Sequence, residues 1–416
     1  VRETLALVRR TPGCMLLLLG NFCITVGSSI VLPYLAIYLV HEHGMSPWAV
    51  GMAFTVRLWA QFGLMVVGGA VSDRLGPMNT MCLGLVLRGA SYVLLAGLSS
   101  SIAVIAACGL LGLGSALYIP AGKAALAGLV GDPSKTASVF ALRSATNNAG
   151  LAIGPLVGGV LLLGNPSIGL AATSLVFFAL ALAFWRVRGR LASPRPASGM
   201  DAKTRGADGR RSSLREIPAL LRHNPRMRWV VLTAMAFGFC YVQVEYALPV
   251  TVAEHQSAGF VGVLFTVNAV SVVALQFLVT GPMGNIANSA LVISGGLIAM
   301  AAGFGLLGFG SMGALVAGVV LFSLGEVIVD PRLDGEVAGA VDAEHRGAAF
   351  GLVGMCIAIG GTGANAAASA LAGADRLGDG YWLLMMGGAA ALSLLVLAGA
   401  PRRRVRQPEH ASSVTR

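Results

Sequence analysis

Residues 68–78 read GGAVSDRLGPM, and an apolar block lies on either side, 48–71 before and 78–97 after. About 20 apolar residues is the length an α-helix needs to cross a hydrocarbon layer ~30 Å thick. The polar residues Ser72, Asp73 and Arg74, with Gly76 and Pro77, are too few to fold by themselves. They read as the tight turn of a membrane hairpin. The pattern recurs along the chain, with blocks at 14–40, 48–71, 78–97, 102–125, 136–163 and 167–187, then 228–252, 259–281, 289–309, 312–333, 347–373 and 380–400. The expected fold is an all-α membrane protein of 12 transmembrane helices in two pseudo-symmetric six-helix bundles.

Composition agrees with this reading. The 416 residues are 56% hydrophobic and 11% charged, with a mean hydropathy of +0.78. A water-soluble chain carries about 25% charged residues, so this one has too few to cover a wet surface. Its 56 glycines are about twice the usual share, and small residues let membrane helices approach closely. A net charge of +11 would suit nucleic acid, but the arginines cluster in short segments between apolar blocks, which excludes that partner and fits loops beside anionic lipid. All six cysteines, Cys14, Cys23, Cys82, Cys108, Cys240 and Cys356, fall within or at the edge of apolar segments without paired spacing, which implies neither disulfides nor a metal site. The first apolar block is too long for the core of a signal peptide.

The loops set orientation and organisation. Arg2, Arg9, Arg10, Arg74, Lys135, Arg346 and the arginines of 401–416 fall on one side, whereas Arg376 is the lone basic residue of the other. The positive-inside rule therefore places both termini in the cytoplasm of a cell (plasma) membrane protein. Residues 188–227, rich in Pro, Gly, Ser and Arg, read as a basic cytoplasmic linker. It joins an N-terminal bundle over 1–187 to a C-terminal bundle over 228–400, followed by a basic tail over 401–416. Two such halves suggest the internal repeat of a secondary transporter.

In the 68–78 turn, Gly69 permits a close helix approach, Gly76 suits the turn, Asp73 can latch onto a helix N-terminus or a basic group, and Arg74 meets headgroups. Gly69, Asp73, Arg74 and Gly76 resemble the Gly-x-x-x-Asp-Arg-x-Gly motif of the major facilitator superfamily. The motif's usual basic pair is replaced by Pro77 and Met78, which weakens the headgroup contact. In the fifth block, GLAIGPLVGG (150–159) supplies Gly150, Gly154, Pro155, Gly158 and Gly159. These resemble the glycine-proline signature of proton-coupled exporters in that superfamily, with Ala141 where its first glycine falls. The resemblance implies a bare groove on helix five that receives helix eight at the interface between halves. The plain alternative is general packing of small residues in membrane helices.

The likeness runs through RLWAQFGLMVVGGAVSDRLG, LLGLGSALYIPAGKAALAGLV, YVQVEYALPVTV and VDPRLDGEVAGAVDAEHRGAAFGL, stretches similar to those of twelve-helix drug:proton antiporters of the multidrug resistance type. Two departures bear on proton handling. Cys108 stands where many members have an arginine, and Gly20 and Asn21 stand where helix one often has an acidic residue.

Ionisable groups inside a bilayer cost at least ~2.5–3.5 kcal/mol, so those present are functional candidates. Arg57 lies about nine residues into the second block, Glu245 in the seventh, and Glu326 and Asp330 one turn apart in the tenth with Arg332 beyond. The resemblance implies that helices one, four, seven and ten line a central cavity. Glu245 or Glu326 is then the proton carrier and Arg57 a partner, unless these charges pair permanently to hold helices in register. Asp330 and Arg332 read as a cytoplasmic gate or latch with Asp73 and Arg74, and Asp334 and Glu336 add to that network. Arg88 and Arg143 read as structural. Asn21, Tyr118, Gln243, Tyr246 and Asn268 are candidate cavity hydrogen-bonders for a small-molecule substrate.

The expected function is export of a small, largely apolar or amphipathic compound by proton antiport through alternating access, with protons and the lipid bilayer as partners and a monomer as the working unit. Uptake of a small solute and a transport-inactive sensor or scaffold are the alternatives. No phosphate-binding Gly-Lys motif, catalytic constellation, cofactor site or metal cluster is read from the sequence.

Overall fold

A computed structural model describes residues 11–130, 133–191, 221–222, 224–284, 288–341, 346–373 and 380–401. Arg2, Arg9, Arg10, the body of the expected linker and the tail beyond 401 lie outside the described residues. The described chain is helical throughout. The first span, α1, is Pro12–Val31 continued by a 3-10 turn at Leu32–Tyr34 and by Leu35–His41. The second, α2, is Pro47–Leu58, a π-turn at Trp59–Gly63 and Met65–Leu75. Then follow α3 (Pro77–Gly97), α4 (Ser101–Val130), α5 (Pro133–Gly164) and α6 (Pro166–Leu191). In the second half, α7 is Pro225–Tyr241, a 3-10 turn at Val242–Val244 and Ala247–His255. It is followed by α8 (Ala258–Gly284), α9 (Ser289–Leu307), α10 (Met312–Ala340), α11 (Arg346–Gly373) and α12 (Tyr381–Ala398).

Eleven of these spans are long and apolar enough to cross a membrane, and the two parts of α2, bent by 44° at Leu64, make a twelfth. The apolar blocks thus become helices nearly as read. Several ends run longer, because amphipathic turns continue past the hydrocarbon: α6 reaches Leu191, and α10 runs to Ala340 rather than 333.

Local chemistry sets the helix starts. Pro12, Pro47, Pro77, Pro133, Pro166 and Pro225 each open a helix, where the missing N–H has no intrahelical partner to lose. Ser46, Asn224, Asn288 and Ser311 cap α2, α7, α9 and α10 by accepting backbone N–H bonds, from Met227 to Asn224 at 3.1 Å for example. Gly76, at φ +85°, makes the α2–α3 turn in a conformation that side chains resist.

The halves repeat one plan. In the first, α1 packs on α5 and α3 on α4 and α6; in the second, α7 packs on α11 and α9 on α10 and α12. Between halves, α5 meets α8 and α2 meets α11. The repeat extends to single glycines. A Cβ on Gly84 (α3) would lie 2.6 Å from the Gly114 carbonyl oxygen on α4, and one on Gly303 (α9) would lie 2.7 Å from that of Gly318 on α10. Backbones in contact at these two places fix each helix pair.

Candidate functional site

Helix α1 begins, and the linker leaves and re-enters, at one end of the bundle, here called the linker end; the opposite end is the far end. Toward the far end, polar contacts join the halves. Arg57 of α2 forms an ion pair with Glu245 of α7. The arginine side chain is only 3% exposed and that of Glu245 25%. Arg57 also donates to Gln61 at 3.2 Å and lies 5.7 Å from the Phe54 ring centroid. The 3-10 turn at Val242–Val244 immediately precedes Glu245, so the break in α7 sets where the carboxylate emerges.

Around this pair the seal is built from small contacts. The Tyr34 hydroxyl donates to the Pro155 carbonyl at 2.9 Å, and a Cβ on Gly262 of α8 would stand 2.8 Å from the same oxygen. Thr266 of α8 donates to the Ala152 carbonyl at 2.9 Å. The Tyr246 hydroxyl donates to the Pro47 carbonyl at 3.1 Å, and its ring stacks on Phe54 at 5.3 Å. Between α2 and α11, Trp59 donates to Thr362 at 2.9 Å and Asn365 to Thr55 at 3.3 Å.

Toward the linker end the chemistry changes. On α10, half-buried Glu326 accepts from Asn268 of α8 at 3.3 Å, and Asn268 also donates to Ser323 at 2.9 Å. Asp330 and Asp334 follow at successive turns and are exposed. Tyr241 of α7 lies within electrostatic range of Glu326, Glu245, Asp330 and Arg57. Lys123 of α4, also exposed, lies within electrostatic range of Asp330 and Asp334. Polar contacts between the halves thus gather toward the far end, and charged side chains of both halves stand toward the linker end.

Residues 17–260 match the profile described as Major Facilitator Superfamily. The chain belongs to the Major Facilitator Superfamily. It is a multi-pass membrane transporter. Among its relatives is the Multidrug resistance protein MdtH of Shigella dysenteriae serotype 1, 27% identical over 357 residues that cover 85% of this chain and 84% of the relative. The MdtH of Salmonella typhi is 27% identical over 386 residues, covering 92% and 89%. In fold, the chain is similar to a crystal structure titled peptide transporter POT in complex with sulfate, with a TM-score of 0.78 at 16% identity and 94% of each chain covered. It is also similar to a POT family transporter in complex with 5-aminolevulinic acid, with a TM-score of 0.76 at 14% identity, covering 93% and 96%.

Within this superfamily fold, the expected site residues divide. Arg57 and Glu245 come together, as do Glu326 and Asn268. The other expected cavity residues are buried against neighbouring helices. Gln243 is 1% exposed and turned toward α12, accepting from Tyr381 and donating to the Met385 sulfur at 2.9 Å. Tyr246 bridges the halves at the far end. Asn21, 3% exposed, faces Thr146 of α5, while Tyr118, 4% exposed, packs beside Gly84 of α3.

The glycines of α5 also differ from expectation. A Cβ on Gly150 would lie 2.8 Å from the Thr25 Cβ, one on Gly154 2.5 Å from the Ser29 Cβ, one on Gly158 2.9 Å from the Ile30 carbonyl carbon, and one on Gly159 2.8 Å from the Tyr34 hydroxyl. The groove therefore receives α1 of its own half, not α8. Helix α8 reaches α5 through the carbonyls of Pro155 and Ala152 instead, and the bare residue of that contact is Gly262.

The loop motif is corrected similarly. Gly69 has open space where a Cβ would stand, and Gly68 makes the close approach, its Cβ position 2.7 Å from the Ala116 carbonyl carbon. Arg74 is exposed, and the Asp73 side chain lies outside the described residues. Arg332 is half-buried beside the acidic turns of α10. Glu336 does not join a contact between halves, because Arg226 of α7 holds it at 2.7 Å within its own half. Arg88 bonds Ser28 and lies 4.8 Å from the Phe177 ring centroid, which ties α3 to α1 and α6.

Sequence reading passed over Lys123 and Tyr241, and over Gly351, Gly354 and Gly361 of α11. The last three face Val66, Phe62 and Leu58 of α2. Their signal was present in AFGLVGMCIAIGG (349–361), where small residues recur at helical spacing.

Proposed function

We propose that this transporter exports a small, largely apolar or amphipathic organic compound by proton antiport, working as a monomer with the linker end toward the cytoplasm. The carrying observation is the Arg57–Glu245 ion pair, a deeply placed link between one half and the other. Protonating Glu245 removes the charge that holds Arg57, so the far-end seal loosens when a proton arrives from outside and re-forms when the proton leaves. Removing one partner of a buried pair costs about 3–5 kcal/mol, enough to shift the balance between two packings of the halves. Glu326, held by Asn268 toward the linker end, supplies a second carboxylate for cargo and proton. Export as the direction is supported by the MdtH relatives, named for multidrug resistance, and cytoplasmic termini by the basic loops.

The test uses proteoliposomes with an imposed pH gradient and a fluorescent amphipathic dye. Gradient-driven dye movement is expected in the native protein and is expected to vanish in Glu245→Gln. Dye movement indifferent to the gradient would rule out antiport.

A further inference from the structure

The first half buries a cation that it has no carboxylate to answer. Through residue 187 its carboxylates are Glu3, Glu42, Asp73 and Asp132, all outside the spans or at helix ends. Its cations inside helices are Arg57, Arg88, Lys123 and Arg143. Arg57 has Glu245, while Lys123 is exposed and Arg143 half-buried. Arg88 is 6% exposed in the middle of α3 and faces only its own half. It bonds Ser28 of α1, packs on Gly114 of α4 and lies 4.8 Å from the Phe177 ring centroid of α6. Ser28 brings no counter-charge, and its hydroxyl hydrogen goes to the Ile24 carbonyl at 2.7 Å. Tyr92, one turn on from Arg88, has its ring 5.5 Å from that of Phe177, and Thr173 stands one turn before Phe177. Four buried side-chain atoms lack a hydrogen-bond partner among the described residues, and three belong to this cluster: Arg88 Nε, the Tyr92 hydroxyl and Thr173 Oγ1. Buried polar groups are nearly always paired, so three orphans together mark a place for a polar guest.

Packing does not ask for this cluster, because the second half fills the same place with apolar side chains. Arg88 stands eleven residues past Pro77, which opens α3, and Met300 eleven past Ser289, which opens α9. A Cβ on Gly114 of α4 would lie 3.1 Å from the Arg88 amide nitrogen, and one on Gly325 of α10 would lie 3.1 Å from that of Met300. Four residues on, Phe304 stands where the first half has Tyr92. Met300 and Phe304 are both fully buried. A buried cation without a counter-charge is costly, and the methionine shows that the fold stands without it.

We propose that the first half binds a small monovalent anion, chloride or a like halide, among α1, α3 and α6, held by the Arg88 guanidinium and the Tyr92 and Thr173 hydroxyls. The guanidinium supplies the charge and a free Nε–H, and the hydroxyls supply neutral donors. A cargo anion fits the place less well. The contacts between halves run through α5 with α8 and α2 with α11, whereas this cluster lies behind them, inside one half. The site therefore stands apart from the coupling carboxylates and does not depend on the direction of transport.

The experiment melts the purified full-length transporter in detergent with sodium bromide raised to about 100 mM, sodium gluconate holding the ionic strength constant. Saturable stabilisation is expected, a rise of about 2 °C over gluconate alone. Crystals grown in bromide should show an anomalous peak within hydrogen-bonding distance of the Arg88 guanidinium. Arg88→Met copies the second half, so it should fold and lose the response, while Arg88→Lys should keep it. Tyr92→Phe, which copies Phe304, should weaken bromide about tenfold and carries the test if Arg88→Met does not fold. Equal melting in bromide and gluconate overturns the assignment and leaves the cluster to water alone. An undiminished response in either folded variant, or a bromide peak only elsewhere, overturns it as well.

Discussion

Arg57 and Glu245, which bridge the halves, each stand beside a break in their own helix. Arg57 lies just before the π-turn Trp59–Gly63, and Glu245 just after the 3-10 turn Val242–Val244. Such turns leave carbonyls without their usual i+4 partners and make a helix locally easy to rewind. The ion pair therefore sits where each rod can yield, which suits a link that forms and opens during a cycle.

Neutralising the acid should act on coupling more than on the chemistry of binding. Glu245→Gln is expected to abolish gradient-driven transport at least tenfold while dye still equilibrates down its own concentration gradient. Arg57→Gln should be the more harmful to folding, because the arginine is the more buried partner and Gln61 loses its donor as well. Paired transport and thermal-melt measurements on the two variants check both statements. Equal gradient-driven rates in Glu245→Gln and the native protein would remove the carboxylate from the mechanism.

Glycine substitutions should separate packing within a half from packing between halves. Gly154→Leu drives a side chain into Ser29 of α1, an overpacking expected to cost about 1–3 kcal/mol and to lower the melting temperature. Gly262→Leu strikes Tyr34 and the Pro155 carbonyl at the seam between halves, so its main effect should be a several-fold loss of transport. Melting curves and dye flux for each variant give the comparison. A reversed pattern would mean that α1, not α8, is the surface that slides.

Gln243 offers a control for residues that look functional by type. Gln243→Leu leaves the Tyr381 hydroxyl buried without its acceptor, an expected loss of about 1–3 kcal/mol. Affinity for cargo should be unchanged. If a binding titration of the folded variant shows tenfold weakening, Gln243 must reach the cavity in another state.

The far-end seal should respond to loss of one hydroxyl. Tyr246→Phe keeps the stack on Phe54 but removes the bond to Pro47, worth about 1 kcal/mol. Opening toward the far end should rise by roughly fivefold. Labelling by an impermeant thiol reagent of a cysteine introduced at Thr55 reads this directly. No change in labelling rate would show that the tyrosine packs the seal without latching it.

How much of this was legible in the sequence follows from what each signal encodes. Apolar runs encode burial in lipid, so the spans were legible to within a turn or two. The rarity of charge inside them singled out Arg57, Glu245 and Glu326. Which charge meets which was not legible, because Arg57 and Glu245 lie 188 residues apart and one sequence carries no pairing information. Glycine spacing in 150–159 correctly announced that a helix comes close, but spacing does not say which helix, and α1 rather than α8 fills the groove. Gln243 was misplaced for a related reason. The 3-10 turn over Val242–Val244 rotates the chain, so the regular helical wheel that would set Gln243 relative to Glu245 does not hold there.

The backbone clasps at Gly84–Gly114 and Gly303–Gly318 carry a last consequence. Rods locked main chain to main chain have little play, so each half keeps a stiff spine in α3–α4 or α9–α10. Pliancy then falls to the interrupted rods α1, α2 and α7, which makes them the joints of the machine. Inherited variation that stiffens those joints should slow the stroke without loosening the frame.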